Sequence, residues 1–218
     1  MSTRSELKEN MLAAKLEVLV AWVMANRGPV ITGAGVAIAV VLIGSVFVLR
    51  NREKRDSDLT RLMLGKELVS QRAYDRAAAS LADLRPSLTN HNLIAQSAYF
   101  QGLAALGQKN FAEAQAFFQE AVDHSAGSPL KPLALSNKGF AEEEKKDFEA
   151  AAQTCRQFMA EFDTHFLAAR VQLSLGRTLA AAGKIEEAKA ALVHLIDLYP
   201  TSQWAENARS IMDKLKIR

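Results

Sequence analysis

The side chains that could perform chemistry are few and widely spaced in this chain of 218 residues. It has one cysteine, Cys155, and four histidines: His91, His124, His165 and His194. Zinc sites typically have Cys or His ligands at short spacings such as H-x-x-x-H, and the sequence has no such spacing and no Cys/His cluster. It also has no G-x-G-x-x-G and no phosphate-binding loop. We therefore predict a protein without catalytic residues, metal, cofactor or small-molecule substrate.

Two arginines offer the clearest binding chemistry. Arg170 and Arg177 lie seven residues apart, so on a helix they share one face. A guanidinium group binds a carboxylate through two parallel hydrogen bonds. We predict that both arginines hold an acidic group of a bound segment. The alternative interpretation is a solvated helix face.

The elements that must position these side chains follow from a repeat of 37 residues. Four glycines stand at this period: Gly65, Gly102, Gly139 and Gly176. Three further positions keep the register, namely the bulky residues Tyr74, Phe111, Phe148 and Ile185, the alanines Ala77, Ala114, Ala151 and Ala188, and then Leu81, Phe118, Cys155 and Leu192. A fixed period in this range indicates stacked helix pairs. We predict that each glycine lets two helices approach, that the alanine fills the matching position, and that Cys155 is buried.

The repeat resembles the tetratricopeptide repeat (TPR), which has a glycine in helix A and an alanine and an aromatic residue in helix B. The fourth repeat is the closest match, through Gly176, Gly183, Ile185, Ala188 and Pro200. The resemblance covers about residues 58–200 and implies an all-α solenoid of four helix pairs. The period of 37 rather than 34, the missing Trp, and Cys155 in place of an aromatic residue are departures.

The resemblance also implies a binding groove, because the A helices of a TPR stack line its concave face. Residues three before and one after each glycine are expected there, together with residues one turn earlier. They are Leu62, Lys66, Gln96, Tyr99, Leu103, Ser136, Phe140, Arg170, Leu173 and Arg177. We predict that this groove binds an extended or helical segment with hydrophobic anchors. Alternatively, Tyr99, Leu103 and Phe140 pack between adjacent A helices.

Residues 29–49 form an uncharged apolar stretch of 21 residues. At 1.5 Å per residue this spans roughly 31 Å, close to the hydrocarbon thickness of a bilayer. The stretch is too long for the apolar core of a signal peptide, so we predict a retained transmembrane helix. The predicted organisation is a tail (1–28), this helix (29–49), a charged stalk (50–57), four repeats (58–200) and a capping helix (201–218).

Both ends of the chain have helical patterns. Residues 5–26 place apolar side chains at helical spacing, with Trp22 just before the span. This pattern indicates an interfacial or partner-binding helix, or else a tail that is helical because it continues into the anchor. After Pro200, Trp204, Ala208 and Ile211 share one apolar face, so we predict a capping helix in which Trp204 packs.

The distribution of charge argues against a nucleic-acid partner. Residues 1–56 hold eight basic and five acidic residues, whereas residues 57–218 hold 19 of each. The repeats thus have no excess positive charge, and we predict no nucleic-acid binding. The charged run 142–146 is predicted to be a solvated helix end.

The orientation in the membrane has two opposed indications. Six basic residues follow the span within about 20 residues and two precede it, and the positive-inside rule then favours repeats in the cytoplasm. The tail, single span, charged stalk and repeats instead resemble the YfgM-type ancillary subunits of the bacterial Sec translocon. The ending with Tyr199, Pro200, Ser202, Ala205 and Ala208 resembles bacterial envelope TPR proteins. This resemblance implies an inner-membrane protein with periplasmic repeats, and as partners the Sec translocon, periplasmic chaperones or client proteins.

Overall fold

The computed structural model describes residues 4–216, with the side chains of 4–14, 30, 34, 37 and 216 left out of the description. The described chain contains ten α-helices, one short 3-10 helix and no strand. The α-helices are α1 (Arg4–Ala25), α2 (Arg27–Ser70), α3 (Tyr74–Leu84), α4 (His91–Gly107), α5 (Phe111–Asp123), α6 (Leu130–Glu144), α7 (Phe148–Phe162), α8 (Ala168–Ala181), α9 (Ile185–Leu198) and α10 (Gln203–Lys216). Asp56 ends one compact unit of the chain and Ser57 begins the other.

The first unit consists of α1 and the beginning of α2. Helix α2 is long and apolar enough to cross a membrane, as judged by length and composition. Two hydroxyl groups of its apolar stretch donate hydrogen bonds to backbone carbonyls of the same helix. Thr32 donates a hydrogen bond to the Gly28 carbonyl (3.0 Å), and Ser45 donates one to the Leu42 carbonyl (2.8 Å). An interfacial role for residues 5–26 stays a prediction, and part of its apolar face lies outside the described side chains.

The second unit is a stack of helix pairs followed by a closing helix. The A helices are residues 57–70 of α2, then α4, α6 and α8. The B helices α3, α5, α7 and α9 begin at the four bulky repeat residues, Tyr74, Phe111, Phe148 and Ile185. Consecutive helices pack against one another from α3 to α9, and α10 packs on α8 and α9. The predicted all-α solenoid is therefore confirmed.

Each A helix ends in the same turn, which fixes the entry to its B helix. A residue with positive φ follows the helix in every repeat: Arg72, Lys109, Lys146 and Gly183. In the second repeat the backbone N–H of Asn110 donates to the Ala105 carbonyl (2.8 Å), and the backbone N–H of Lys109 donates to the Leu106 carbonyl (2.9 Å). This is the Schellman pattern, which usually places glycine at the positive-φ position. Only the fourth repeat has glycine there.

The repeat glycines pack closely, but their partner differs from the predicted alanine. A Cβ on Gly102 would lie 2.7–2.9 Å from three ring atoms of Phe118, and one on Gly65 or Gly176 would lie 2.4 Å from a leucine methyl. That partner is the register residue sixteen positions later. Gly139 differs, because its neighbours Thr154 and Cys155 would be 3.5 and 3.6 Å away. The repeat alanines are also fully buried.

The charged run 142–146 was wrongly predicted to be a wholly solvated helix end. Glu142 is 1% exposed. Its Oε1 accepts a hydrogen bond from the Gln115 amide (3.1 Å), with the Lys138 ammonium 3.6 Å away. Helix α5 covers this face of α6, so the start of the run turns inward and the end of it stays in solvent.

Candidate partner-binding site

Half of the predicted groove residues meet around one cavity of about 190 Å³. Helix α6 contributes Ser136 and Phe140, and helix α8 contributes Arg170, Leu173 and Arg177. Successive A helices run side by side, so residues at equal repeat positions converge at their shared surface. Other walls of the cavity are Leu135, Cys155, Val171, Ser174 and Trp204.

Arg177 already has a carboxylate partner. Its Nε donates to Glu143 Oε1, and its Nη2 donates to Oε2 of the same carboxylate (2.7 Å). The Ser174 hydroxyl also donates to this carboxylate (2.9 Å). The hydrogen bonds to Glu143 raise the pKa of Arg177. The acidic group beside Arg177 is thus the protein's own, and the predicted pair of ligand-binding arginines is reduced to one.

Arg170 differs from Arg177 although both line the cavity. Its side chain is half-buried, and it makes no hydrogen bond or ion pair with any residue of the described chain. Burial raises the pKa of Tyr99, while a hydrogen bond from Asn137 and the positive charge of Arg170 oppose that shift. A partly dehydrated cation with no counter-charge favours a carboxylate ligand.

The predicted residues of α4 serve mainly in packing. The Tyr99 ring lies 5.8 Å from that of Phe118 and 5.6 Å from that of Phe100, centre to centre. Its hydroxyl accepts a hydrogen bond from the Asn137 amide (3.1 Å). Leu103 packs beside the same core. The outer edge of Tyr99 and Gln96 also line a shallower cavity of about 460 Å³.

Two predicted residues of the first repeat do not line either cavity. Leu62 is fully buried, so its place in an accessible groove was wrong. A residue three positions before a glycine shares the face of that glycine, and in the first repeat this residue packs against Leu81 and Leu84 of helix α3. Lys66 is exposed on α2. In the first repeat, the position three residues before the glycine is therefore buried, whereas the position one residue after it is exposed.

Sequence reasoning missed the contribution of α10 and an unexpected histidine contact. Trp204, predicted only to pack, is 37% exposed at the cavity. His91 and His124 lie 33 residues apart in sequence, yet their Nδ1 atoms are 2.8 Å from each other. Among the side chains that the structure describes, no group of three or more His, Cys, Asp or Glu could hold a metal ion.

Known proteins agree with this geometry at the level of the fold. A tetratricopeptide repeat family profile matches residues 170–202, which is the fourth repeat. The repeats form a TPR-like solenoid. No curated protein matches the sequence significantly.

Solved structures of TPR-like proteins resemble the chain in fold. A Podospora anserina protein described as a kinesin light chain with nearly identical TPR-like repeats is 13% identical. It aligns with a TM-score of 0.57 over 72% of this chain and 92% of its own. A MamA double mutant of strain RS-1 is 15% identical, with a TM-score of 0.58 over 73% and 92%. MamA from Desulfovibrio magneticus RS-1, residue 41 to its end, is 16% identical, with a TM-score of 0.55 over 67% and 77%. TPR-like repeats are typically protein-interaction modules without enzymatic activity.

Proposed function

We propose that this protein is a non-enzymatic protein-interaction module anchored in the bacterial inner membrane. Residues 29–49 form its transmembrane helix, and the repeats, over about residues 58–200, lie in the periplasm. There they accompany the Sec translocon and bind periplasmic chaperones or translocating client proteins. The resemblance to YfgM-type subunits supports the location and the partners, and the TPR-like fold supports the interaction role.

The observation that carries the membrane part of the proposal is the exposed apolar surface of α2. Ile31, Val36, Ile38, Val41 and Ile43 are each at least 60% exposed. A continuous apolar surface of this length is unfavourable in water, whereas a bilayer core about 30 Å thick would cover it.

A cytoplasm-facing scaffold is the second candidate, and one observation favours it. Arg50, Arg52, Lys54 and Arg55 directly follow the apolar stretch. Basic residues beside a span favour the cytoplasmic side, although whole domains translocate largely regardless of charge. The two candidates differ in topology and are separated by one measurement.

The topology test uses two single cysteines in a Cys155→Ser background. Ala126→Cys lies on an exposed turn of the repeats, and Val18→Cys lies on the exposed surface of α1. A membrane-impermeant thiol reagent is added to cells whose outer membrane alone is permeabilised. The proposal expects labelling at position 126 and none at 18 until the inner membrane is opened. The opposite pattern would establish the cytoplasmic alternative.

The partner test uses a photo-crosslinking amino acid in place of Phe140, which lines the cavity. Gln153, exposed on α7 and outside the cavity, is the matched control. We expect adducts with a Sec subunit, a periplasmic chaperone or a nascent client from position 140 and far fewer from 153. Equal yields at both positions, or no adduct with any such protein, would count against the proposed partners.

A further inference from the structure

We propose that the 190 Å³ cavity between α6, α8 and α10 is a docking pocket for one bulky apolar side chain of a partner protein. An Asp or Glu beside that side chain in the same partner segment binds Arg170. The inference rests on the proposed interaction function and specifies the chemistry that the partner presents.

The size and walls of the cavity suit one aromatic ring. A cavity of about 150 Å³ lined by Leu, Ile and Phe is large enough to hold benzene. This cavity is somewhat larger, about 190 Å³, and its apolar walls are Leu135, Phe140, Val171 and Leu173. Trp204 stands at the edge, 37% exposed. Aromatic side chains buried in such pockets supply most of the energy of many protein interfaces.

The charges around the cavity favour an acidic neighbour for that ring. Several other cations of the repeats have carboxylate partners: Arg85 with Glu120, Lys131 with Glu161, Arg156 with Glu187, Arg177 with Glu143 and Lys184 with Glu149. Arg170, half-buried, has none among the described residues. A guanidinium group in this state gains two charge-assisted hydrogen bonds when a carboxylate arrives.

The pairing of Arg177 makes the recognition asymmetric. Because Glu143 neutralises Arg177, a ligand carboxylate near that end of α8 would face a negative group that already has its partner. Arg170 lies seven residues earlier on the same helix face. The acidic residue of the partner is therefore placed at the Arg170 side of the ring, and a neutral apolar segment passes the Arg177 side.

The test measures peptide binding through Trp204 in the full-length protein. Trp22 and Trp204 are the two tryptophans of the chain, so Trp22→Phe leaves Trp204 as the sole tryptophan. The probe is a blocked peptide, acetyl-Gly-Ser-Asp-Phe-Asp-Ser-Gly-amide, with Asp on both sides of Phe so that one Asp reaches Arg170 in either chain direction. Its matched controls replace both Asp by Asn, or Phe by Ala. We expect the Asp-Phe-Asp peptide to change the Trp204 fluorescence saturably and to bind about tenfold or more tightly than the Asn form.

Two variants assign the charge preference to one side chain. Arg170→Gln removes no hydrogen bond to any residue that the structure describes, so a circular-dichroism melt should match that of the parent protein. In this variant we expect the Asp and Asn peptides to bind equally. Arg156→Gln, an exposed arginine outside the cavity, should retain the preference for Asp.

Several outcomes would overturn the inference. Equal binding of the Asp and Asn peptides to the parent protein would show that no acidic residue is required. Tight binding of the Ala peptide would show that no aromatic ring is required. An Asp preference that survives Arg170→Gln would place the carboxylate elsewhere. A Trp204 signal that changes with protein concentration alone would identify a second copy as the occupant. None of these results alters the topology measurement, so failure here is distinguishable from failure of the proposed function.

Discussion

The glycine register makes a prediction with opposite signs in two repeats. Gly102 and Gly139 occupy equivalent positions on α4 and α6. An added Cβ would meet three Phe118 ring atoms at 2.7–2.9 Å in the first case, and Thr154 and Cys155 at 3.5 and 3.6 Å in the second. The first contact is a collision and the second is ordinary van der Waals contact. Gly102→Ala should therefore destabilise the protein, whereas Gly139→Ala should stabilise it.

The magnitudes follow from two opposing terms. Replacing glycine by alanine within a helix favours folding by about 1 kcal/mol. Overpacking a buried site costs about 1–3 kcal/mol, and Phe118 is fully buried, so its ring has little room to move. Because the Phe118 ring has little room to move, the overpacking cost falls in the upper part of that range, about 2–3 kcal/mol. The net expectation is then a loss of roughly 1–2 kcal/mol for Gly102→Ala and, without overpacking, a gain of about 0.5–1 kcal/mol for Gly139→Ala.

Urea unfolding of the full-length protein, followed by circular dichroism at 222 nm, measures both variants. With a urea dependence of roughly 2 kcal/mol per molar, the midpoint should fall by about 0.5–1 M for Gly102→Ala and rise by about 0.25–0.5 M for Gly139→Ala. A double-mutant cycle tests the cause. In a Cys155→Leu background, which restores the bulky partner of the first and fourth repeats, Gly139→Ala should become destabilising. Equal effects at positions 102 and 139, or no coupling between 139 and 155, would refute the steric explanation.

Three further predictions come from the turns, the thiol and the α4 packing. Lys109→Gly should raise the free energy of unfolding by up to about 1 kcal/mol because it relieves a positive φ, and Gly183→Ala should lower it by a similar amount in the same urea assay. Burial raises the pKa of Cys155 from 9.0 to about 12, so a thiol reagent should react at pH 8 only after denaturant is added. The stability due to this shift is fully present below pH 9 and is lost as the pH rises toward 12. The free energy of unfolding should fall by about 1.4 kcal/mol per pH unit in this range, and Cys155→Ala should remove this pH dependence. Tyr99→Phe should cost about 1 kcal/mol, since the Asn137 amide loses its acceptor, and thermal melts of Tyr99→Phe, Asn137→Ala and the double variant should show coupling.

The fold was predictable from the sequence because repetition amplifies weak signals. A single glycine or alanine says little about structure, but four in register identify equivalent sites in four helix pairs. The bulky residues Tyr74, Phe111, Phe148 and Ile185 were thereby predicted to be equivalent, and in the structure each is the first residue of a B helix. The partner of each glycine was not, because a register shows which positions recur and leaves open which side chains meet across the pair.

The candidate site was predictable only in part, because it depends on contacts between distant residues. The period placed Arg170 and Arg177 on one face, but the Glu143 carboxylate that neutralises Arg177 comes from the preceding A helix, 34 positions earlier. Nor does the sequence show that Leu62 is buried while Lys66, four residues later, is exposed. The share of each side chain that reaches solvent is decided by its neighbours in space.

The place of the cavity has a physical explanation in one departure from the repeat. At the register position where the other repeats have Leu81, Phe118 or Leu192, the third has Cys155, a smaller side chain. A Cβ added to Gly139 would consequently make ordinary van der Waals contacts, whereas a Cβ added to Gly65, Gly102 or Gly176 would collide with the bulky partner. The cavity lies at this repeat, and Cys155 is one of its walls. Cys155 departs from the repeat motif at this position. Because its side chain is small, it leaves between α6 and α8 the volume that a partner side chain would fill.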